Sequence, residues 1–361
     1  MSVLVAIALA WTASAVLFTV LTLVRLGRPR AAVRQSGPMP DVLLLRPLDE
    51  PTERELQNLA LPVGYRGRLR HVVLSPYRPR LGPDVTWLYS DPVTPNRKVG
   101  HLAYALATLP RPGEVVLAVD ADVAVDGPLV EGLTMPVAAG APLSTAAPFP
   151  FGATGVGGRA AQALLRCTHH AFVPLHLMSI GARAICGKAL GLGPEARAEL
   201  PSLGEHIGED LELALRLHAR GGEVALSPAP ARIPLDGPLR WSAAVRRFSR
   251  WMQVLRAHRP GLAPTVPWLL CPTPLLVLAA LGLGSPLLAG AVVVLLGVRT
   301  ALAVRLTWKQ PGRGATADWF LGESLLVVAF VHARFFRTVA WRGRRFRLLP
   351  GGRMQPAVEE P

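Results

Sequence analysis

The pattern of apolar and polar positions divides the chain into three zones. Residues 2–24 are apolar and uncharged, long enough for a helix that crosses a bilayer. From about Pro38 to Pro260, short apolar runs alternate with helical spacings, as in an α/β domain. Residues 42–45, 69–74, 85–89 and 114–119 predict strands, and residues 53–60 a helix. Residues 98–109 predict a second helix, through Leu102, Ala105, Leu106 and Leu109. Strands separated by helices predict a Rossmann-like, mostly parallel sheet with ligands at the strands' carboxyl ends. Further on, residues 268–281 and 286–304 read as a transmembrane hairpin turning at Ser285. Residues 319–336 are also apolar but carry Glu323, His332 and Arg334. An interfacial or re-entrant placement is expected for them, because a span would put the basic residues that follow outside.

Composition sharpens this picture. Half of the 361 residues are hydrophobic, mean hydropathy is +0.33 and charged residues are 17%, below the roughly 25% of soluble domains. The net charge is nevertheless +15, nearly all from Arg. The sequence carries no helix-turn-helix, zinc-finger or RNA-binding signature, so no nucleic-acid partner is expected. Arginines facing anionic lipid account for the charge better. No Lys or Arg precedes the first apolar run, whereas Arg25, Arg28, Arg30 and Arg34 follow it. That order predicts a retained anchor with the next domain in the cytoplasm. The Ala, Arg, Pro and Gly richness suggests a GC-rich bacterium, hence a multi-pass protein of the bacterial inner membrane. Cys167, Cys186 and Cys271 have no paired spacing and are expected to be plain small hydrophobes.

The expected organisation is an anchor over 1–26 and a catalytic-type domain over 38–260, which includes a basic interfacial helix over 239–258. A membrane region over 264–338 and a basic cytoplasmic tail over 339–361 complete it.

Four short groups carry candidate chemistry. Asp120-Ala121-Asp122 closes an apolar strand; two acids there suit a divalent cation that bridges diphosphate oxygens, or simply form a solvated turn. Glu209-Asp210 opens an apolar helix, either as acids at the positive end of the helix dipole or with Asp210 as a general base. Arg247, Arg250 and Trp251 share one helix face, suited to a diphosphate beside an indole or to anionic lipid. Asn96-Arg97-Lys98 precedes the helix before Asp120, and its lysine can reach a phosphate or be an ordinary exposed helix start.

The order of the four groups resembles the family 2 inverting glycosyltransferases, and within them the ceramide glucosyltransferases and their bacterial hopanoid-associated relatives. Arg46-Pro47-Leu48 is similar to the group's Lys-Pro-Leu, with Asn58-Leu59 at similar spacing. The basic stretch from Phe336 to Phe346, with Arg337, Trp341 and Arg342-Gly343-Arg344, is similar to that of the bacterial relatives. The resemblance covers nearly the whole chain. It implies a GT-A catalytic domain with an N-terminal anchor and a short C-terminal membrane region.

The resemblance also implies roles. Asp120 and Asp122 hold Mg²⁺ or Mn²⁺ and the donor. Asn96, Lys98, Arg247 and Arg250 bind the donor, a nucleotide-sugar that is UDP-linked. Asp210 is the catalytic base with Glu209 beside it, and Trp251 lines the acceptor side, where the group also places a histidine, here His176 or His170. The acceptor is a membrane lipid: ceramide-like, diacylglycerol or hopanoid. One departure is clear. The group has an aspartate after the second strand, where this chain reads Leu74-Ser75-Pro76-Tyr77-Arg78. Ser75 or Asp91 is the expected substitute. A weak or inactive enzyme and a polyprenyl-phosphate sugar transferase stay open as alternatives. A processive polysaccharide synthase would need more membrane helices than this chain offers.

Overall fold

The computed structural model describes residues 2–28, 38–235, 237–308, 316–336, 338–341 and 344–357. Arg30, Arg34, Arg337, Arg342 and Gly343 lie outside them. Helix α1 (Val3–Gly27) leads into β1 (Val42–Pro47), α2 (Glu53–Ala60), β2 (Leu69–Ser75), β3 (Val85–Tyr89), α3 (Arg97–Thr108) and β4 (Val115–Val119). These match the predicted elements to within about two residues at each end. The principal difference is at β1, which runs on through Arg46 to Pro47, with Arg46 wholly buried.

The second half of the domain comprises α4 (Gly127–Ala138), β5 (Leu143–Thr145), β6 (Pro148–Phe151), α5 (Gly155–Cys167), α6 (Phe172–Met178), β7 (Ala189–Leu192), α7 (Pro194–Glu199), α8 (Glu209–Ala219), β8 (Val224–Leu226), β9 (Ala231–Pro234) and α9 (Trp241–His258). The central sheet has the order β3-β2-β1-β4-β7-β5-β8. All its neighbours pair in parallel except β7, which is antiparallel to β4 and β5. Val42, Leu44, Val115, Leu117 and Val119 face one apolar cluster, and Leu43, Leu45, Val116 and Ala118 face the other. Burial on both faces explains why these strands read as continuous apolar runs rather than alternating ones.

The membrane region follows: a π-helical turn (Val266–Leu270), α10 (Thr273–Leu283), α11 (Pro286–Thr307) and α12 (Trp319–Phe335). Among the described residues three helices are long and apolar enough to cross a membrane, Val3–Gly27, Pro286–Thr307 and Thr316–Phe335, or four if the bent pair 260–270 and 273–283 is one span. The expected first arm of the hairpin is not one straight helix. It breaks before Thr273 and bends by 57° between the segments 260–270 and 273–283, where Pro272 cannot continue the preceding helix. Helix α1 packs on α11 with a seam of small residues, Ala8, Thr12, Ala15, Thr19 and Thr22, and each threonine hydroxyl donates to its own helix four residues back. Small residues let the two backbones approach closely. Their outer faces present Ile7, Leu17, Leu21, Val24, Leu287, Val293 and Val294, an apolar surface suited to lipid.

Helix α12 packs between α5 and α9, burying Leu325, Leu326, Ala329 and Ala333. Its Glu323 is buried 3.3 Å from Arg299 of α11. Arg299 also pairs with the His169 ring and donates to Leu269 O. The third apolar stretch is thus a packed member of the helical bundle, joined to α11 by an ion pair. The stretch expected as a basic tail is folded: β10 (Thr338–Trp341), β11 (Arg344–Leu348) and β12 (Met354–Pro356) form an antiparallel sheet. Val339, Phe346 and Met354 point inward onto Ile207 and Val254.

Candidate active site

The site lies at the carboxyl end of β4. Asp120 follows the last residue of that strand, and its amide donates to Lys188 O, 2.9 Å, at the entry of β7. The turn that carries Asp120 and Asp122 is held from below by Arg46. Its Nη2 donates to Asp120 O (3.1 Å), Ala121 O (3.1 Å) and Val123 O (2.8 Å). Asn58 Nδ2 adds a bond to Ala121 O, 3.3 Å. The Arg-Pro-Leu and Asn-Leu groups of the sequence thus meet on the back of the Asp-x-Asp turn. Burial brings the Arg46 guanidinium down to about 10, and the nearby Asp122 and Asp120 charges oppose that shift.

Two lysines thread the carboxylates together. Lys98 Nζ lies 2.8 Å from Asp120 Oδ1 and 3.1 Å from Glu209 Oε1, and donates to Gly187 O, 2.6 Å. Lys188 Nζ pairs with Asp122 Oδ2 and lies 3.2 Å from Asp120 Oδ2. Burial works against both ammonium charges, but the carboxylates outweigh it and hold both lysines above their ordinary range. Burial likewise disfavours the Asp120 charge, yet Lys98 and Lys188 keep that carboxyl below its usual value.

Helix α8 brings Glu209 and Asp210 to the same cluster. It starts after Gly208, whose φ of 73° is left-handed; a Cβ there would also fall 2.5 Å from Val254 Cγ1, so glycine is required. Asp210 lies over Gly187, where an added Cβ would meet Asp210 Oδ2 at 3.0 Å. Burial, then the Glu209 charge, raises the Asp210 carboxyl to about 6. A carboxylate tuned to that value can accept a proton near neutral pH.

Asn96 is placed differently from expectation. It is fully buried, caps α3 by accepting from Val99 N, and donates to His206 O (2.8 Å) and Glu209 Oε2 (3.0 Å). It holds Glu209 from behind rather than facing open space. Arg247, Arg250 and Trp251 share one face of α9 as predicted. The Arg247 guanidinium is 6.0 Å from the Trp251 ring, and its charge bears on Lys188. Burial, then Arg247, lowers Arg250. Neither arginine has a carboxylate partner among the described residues, so the face remains available to an anion.

Of the two histidines weighed for the acceptor side, His176 is buried with Nδ1 2.9 Å from Ala184 O. His170 instead sits in an aromatic group with Trp251 (6.0 Å), Phe172 and Phe248, and burial holds it neutral, down to about 4. At the end of β2, Ser75 is already committed: its hydroxyl donates to Tyr77 O and accepts from Trp87 Nε1, 3.1 Å. Asp91 pairs with Arg97, 2.7 Å, which also pairs with Asp49, 2.8 Å. Both residues expected to stand in for the missing aspartate are engaged within the protein.

Sequence reasoning missed Lys188. A signal for Lys188 was present, since the chain has only three lysines, Lys98, Lys188 and Lys309, and two of them lie in this cluster. The three cysteines are free and buried, as expected.

A mostly parallel sheet with acidic groups at its carboxyl edge, joined to helices able to cross a membrane, describes a membrane glycosyltransferase of GT-A type. The model of glycosyl transferase family 21 matches residues 85–354, and the chain belongs to that family. That is the kind of membrane glycosyltransferase which the order of the motifs resembles. No curated protein matches the chain. Among solved structures, it is similar to a mannosyltransferase from Pyrobaculum calidifontis in complex with GDP-Man and Mn²⁺. The identity is 16% over 92% of this chain and 99% of that one, with a TM-score of 0.48.

Proposed function

We propose that the chain is an inverting glycosyltransferase that moves a sugar of the glucose or N-acetylglucosamine class from a nucleotide-sugar, UDP-linked, to a hydroxyl of a membrane lipid. The acceptor class is ceramide-like, diacylglycerol or hopanoid. The observation that carries the reading is the raised Asp210 carboxyl beside the lysine-bridged Asp120 and Asp122, close to an arginine and indole face that packs against the apolar bundle. A base, a leaving-group site and an acceptor route meet there.

In this reading the lipid hydroxyl gives its proton to Asp210 as its oxygen forms a bond to the anomeric carbon. The bond from that carbon to the nucleoside diphosphate breaks on the opposite face, and the electron pair leaves with the diphosphate. Arg247, Arg250 and Lys188 take up that negative charge, a contribution that is large in a water-poor site. Trp251 and His170 line the acceptor side. Asn96 and Lys98 hold Glu209 and Asp120 in place.

The Asp-x-Asp turn fits a hard divalent cation. Asp122 Oδ1 is buried with no hydrogen-bond partner, an orphaned acceptor of the kind such a cation uses. Among the described residues no group of three or more His, Cys, Asp or Glu converges, so Asp122 and Asp120 would hold Mg²⁺ or Mn²⁺ with oxygens from outside the chain. When bound, the cation supplies charge neutralisation for the diphosphate. Arg25 in the last turn of α1 and Arg28 just after it favour a cytoplasmic catalytic domain at a bacterial inner membrane.

A second reading, a weak or inactive relative, draws on Ser75 and Asp91, both engaged within the protein. The test is transfer by the full-length chain in lipid nanodiscs, given Mg²⁺ or Mn²⁺, UDP- and GDP-sugars, and ceramide, diacylglycerol or hopanoid. The expected product is a metal-dependent glycolipid of inverted anomeric configuration, lost in Asp210→Asn while donor binding survives. No donor binding across the panel would overturn the reading in favour of the inactive one. Transfer only to a polyprenyl phosphate would replace the acceptor.

A further inference from the structure

The backbone that leads into Glu209 and Asp210 is gripped by the end of the chain. Ile207 N donates to Gly352 O, 2.9 Å, and Met354 N donates to Glu205 O, 2.8 Å. His206 and Arg353 face each other in an antiparallel bridge. Residues 205–207 are therefore paired to the 352–354 segment in the manner of an added strand. The last turn of α9 completes the grip: His258 Nε2 lies 2.9 Å from Ile207 O and its Nδ1 lies 3.3 Å from Glu212. Asn96 meets the same stretch from the other side, through His206 O and Glu209.

Gly352 is the tightest point. It has a φ of 74°, and a Cβ there would fall 2.1 Å from His258 Nε2 and 2.5 Å from Ile207 O. Only glycine lets the segment lie this close. The inward residues Val339, Phe346 and Met354 pack with Ile207 and Val254, so the sheet is seated by apolar burial as well as by backbone bonds. Among the described residues, Gly352, His258 and the inward side chains of the sheet make no bond to Asp120, Asp122, Glu209 or Asp210, and what they fix is the entry of α8, two residues before Asp210.

We infer that the C-terminal sheet, through Gly352 and with His258, is a positioning element for Asp210. The basic stretch then acts in turnover by its backbone and its inward face, and its outward arginines are not what turnover needs. This inference rests on the reading of Asp210 as the base. A displacement on the order of an ångström at a catalytic group costs about a hundred-fold in rate.

The experiment uses the full-length chain in nanodiscs and three variants: Gly352→Ala, His258→Asn, and Arg345→Ala with Arg347→Ala. The readouts are amide exchange at Ile207 and the first turn of α8 without substrate, then kcat and donor KM. For Gly352→Ala we expect exchange at Ile207 faster by about ten-fold. We also expect kcat lower by roughly ten- to a hundred-fold, with donor KM within about two-fold. His258→Asn moves the same way by less, and carries the test if Gly352→Ala does not fold. The double arginine variant keeps both exchange and kcat. An unchanged kcat despite faster exchange overturns the inference, as does an equal fall in the double arginine variant. A wild type that binds donor without transferring sinks the base reading instead, and the exchange arm then separates that failure from the absence of a grip.

Discussion

Lys188 stands between Asp120 and Asp122, pairing with one oxygen of each through a single ammonium group. It occupies the position of a positive charge between two carboxylates and adjoins the charge of Arg247. A divalent cation at Asp122 would have to share those carboxylates with it.

The first prediction follows from that competition. Lys188→Met should bind Mn²⁺ more tightly in the absence of donor, by about ten-fold, since like charges a few ångströms apart interact by a kcal/mol or more. Its kcat should fall, because the departing diphosphate loses a cation. Titration of Mn²⁺ binding by calorimetry checks the first part. Weaker binding in Lys188→Met would show that the lysine supports the cation site.

Asp210 gives a pH dependence. Its carboxyl is raised to about 6, so the base form, and kcat with it, should rise through about pH 6 and level above it. Stability should move the other way. The unfolded carboxyl ionises near 3.8, so between about pH 4 and 6 the folded state holds the extra proton and stability falls as pH rises. Asp210→Asn should therefore melt higher than wild type at pH 7.5, with the gap closing near pH 4, while turnover drops at least about a hundred-fold. Thermal melts across pH in nanodiscs measure this.

Arg46 is predicted to matter through geometry rather than contact. Arg46→Met removes the guanidinium that three carbonyls of the Asp-x-Asp turn share, and although Asp120 O keeps Val123 N and Ala121 O keeps Asn58, the loss should cost about 2 kcal/mol. The Mn²⁺ concentration for half-maximal transfer should rise, and Arg46→Lys should recover part of the loss. Equal metal dependence in Arg46→Met and wild type would contradict the role.

The ion pair of Arg299 and Glu323 yields a stability test in the bundle. Removing one partner leaves a buried charge, so Arg299→Leu or Glu323→Leu alone should cost about 3 kcal/mol or more. The double variant should lie nearer the wild type than either single one. Denaturant unfolding of the four proteins decides it.

Much of this arrangement was legible in the chain. Strands β1 and β4 announced themselves because both of their faces are buried, the edge strand β3 by its Val-Thr-Trp-Leu-Tyr composition, and the α3 spacing was equally plain. Asp120, Asp210, Arg247 and Arg250 were named from their order along the sequence, and the fold brings them to one edge. Lys188 escaped because Cys186-Gly187-Lys188-Ala189 has no periodicity, and its place depends on β7 inserting antiparallel beside β4. Arg46 was read by likeness to a motif, with no sign that a guanidinium would lie inside a strand. The terminal sheet was hidden by its arginines, although Arg345-Phe346-Arg347 alternates as an edge strand does. The break before α10 was masked by a uniformly apolar composition that records length and not direction.

That break has a consequence for the bilayer itself. Helix α10 has 11 residues, about 16 Å at the α-helical rise, whereas its partner α11 has 22. A hydrocarbon core of about 30 Å is matched by the long arm and only half matched by the short one. Where α10 faces lipid without the bent segment 260–270, the hydrophobic height steps down, a mismatch met by thinning of the bilayer or by snorkelling of flanking residues. Under the proposed function, a lipid acceptor that enters beside the short arm starts from a lower hydrophobic boundary than one beside the long arm.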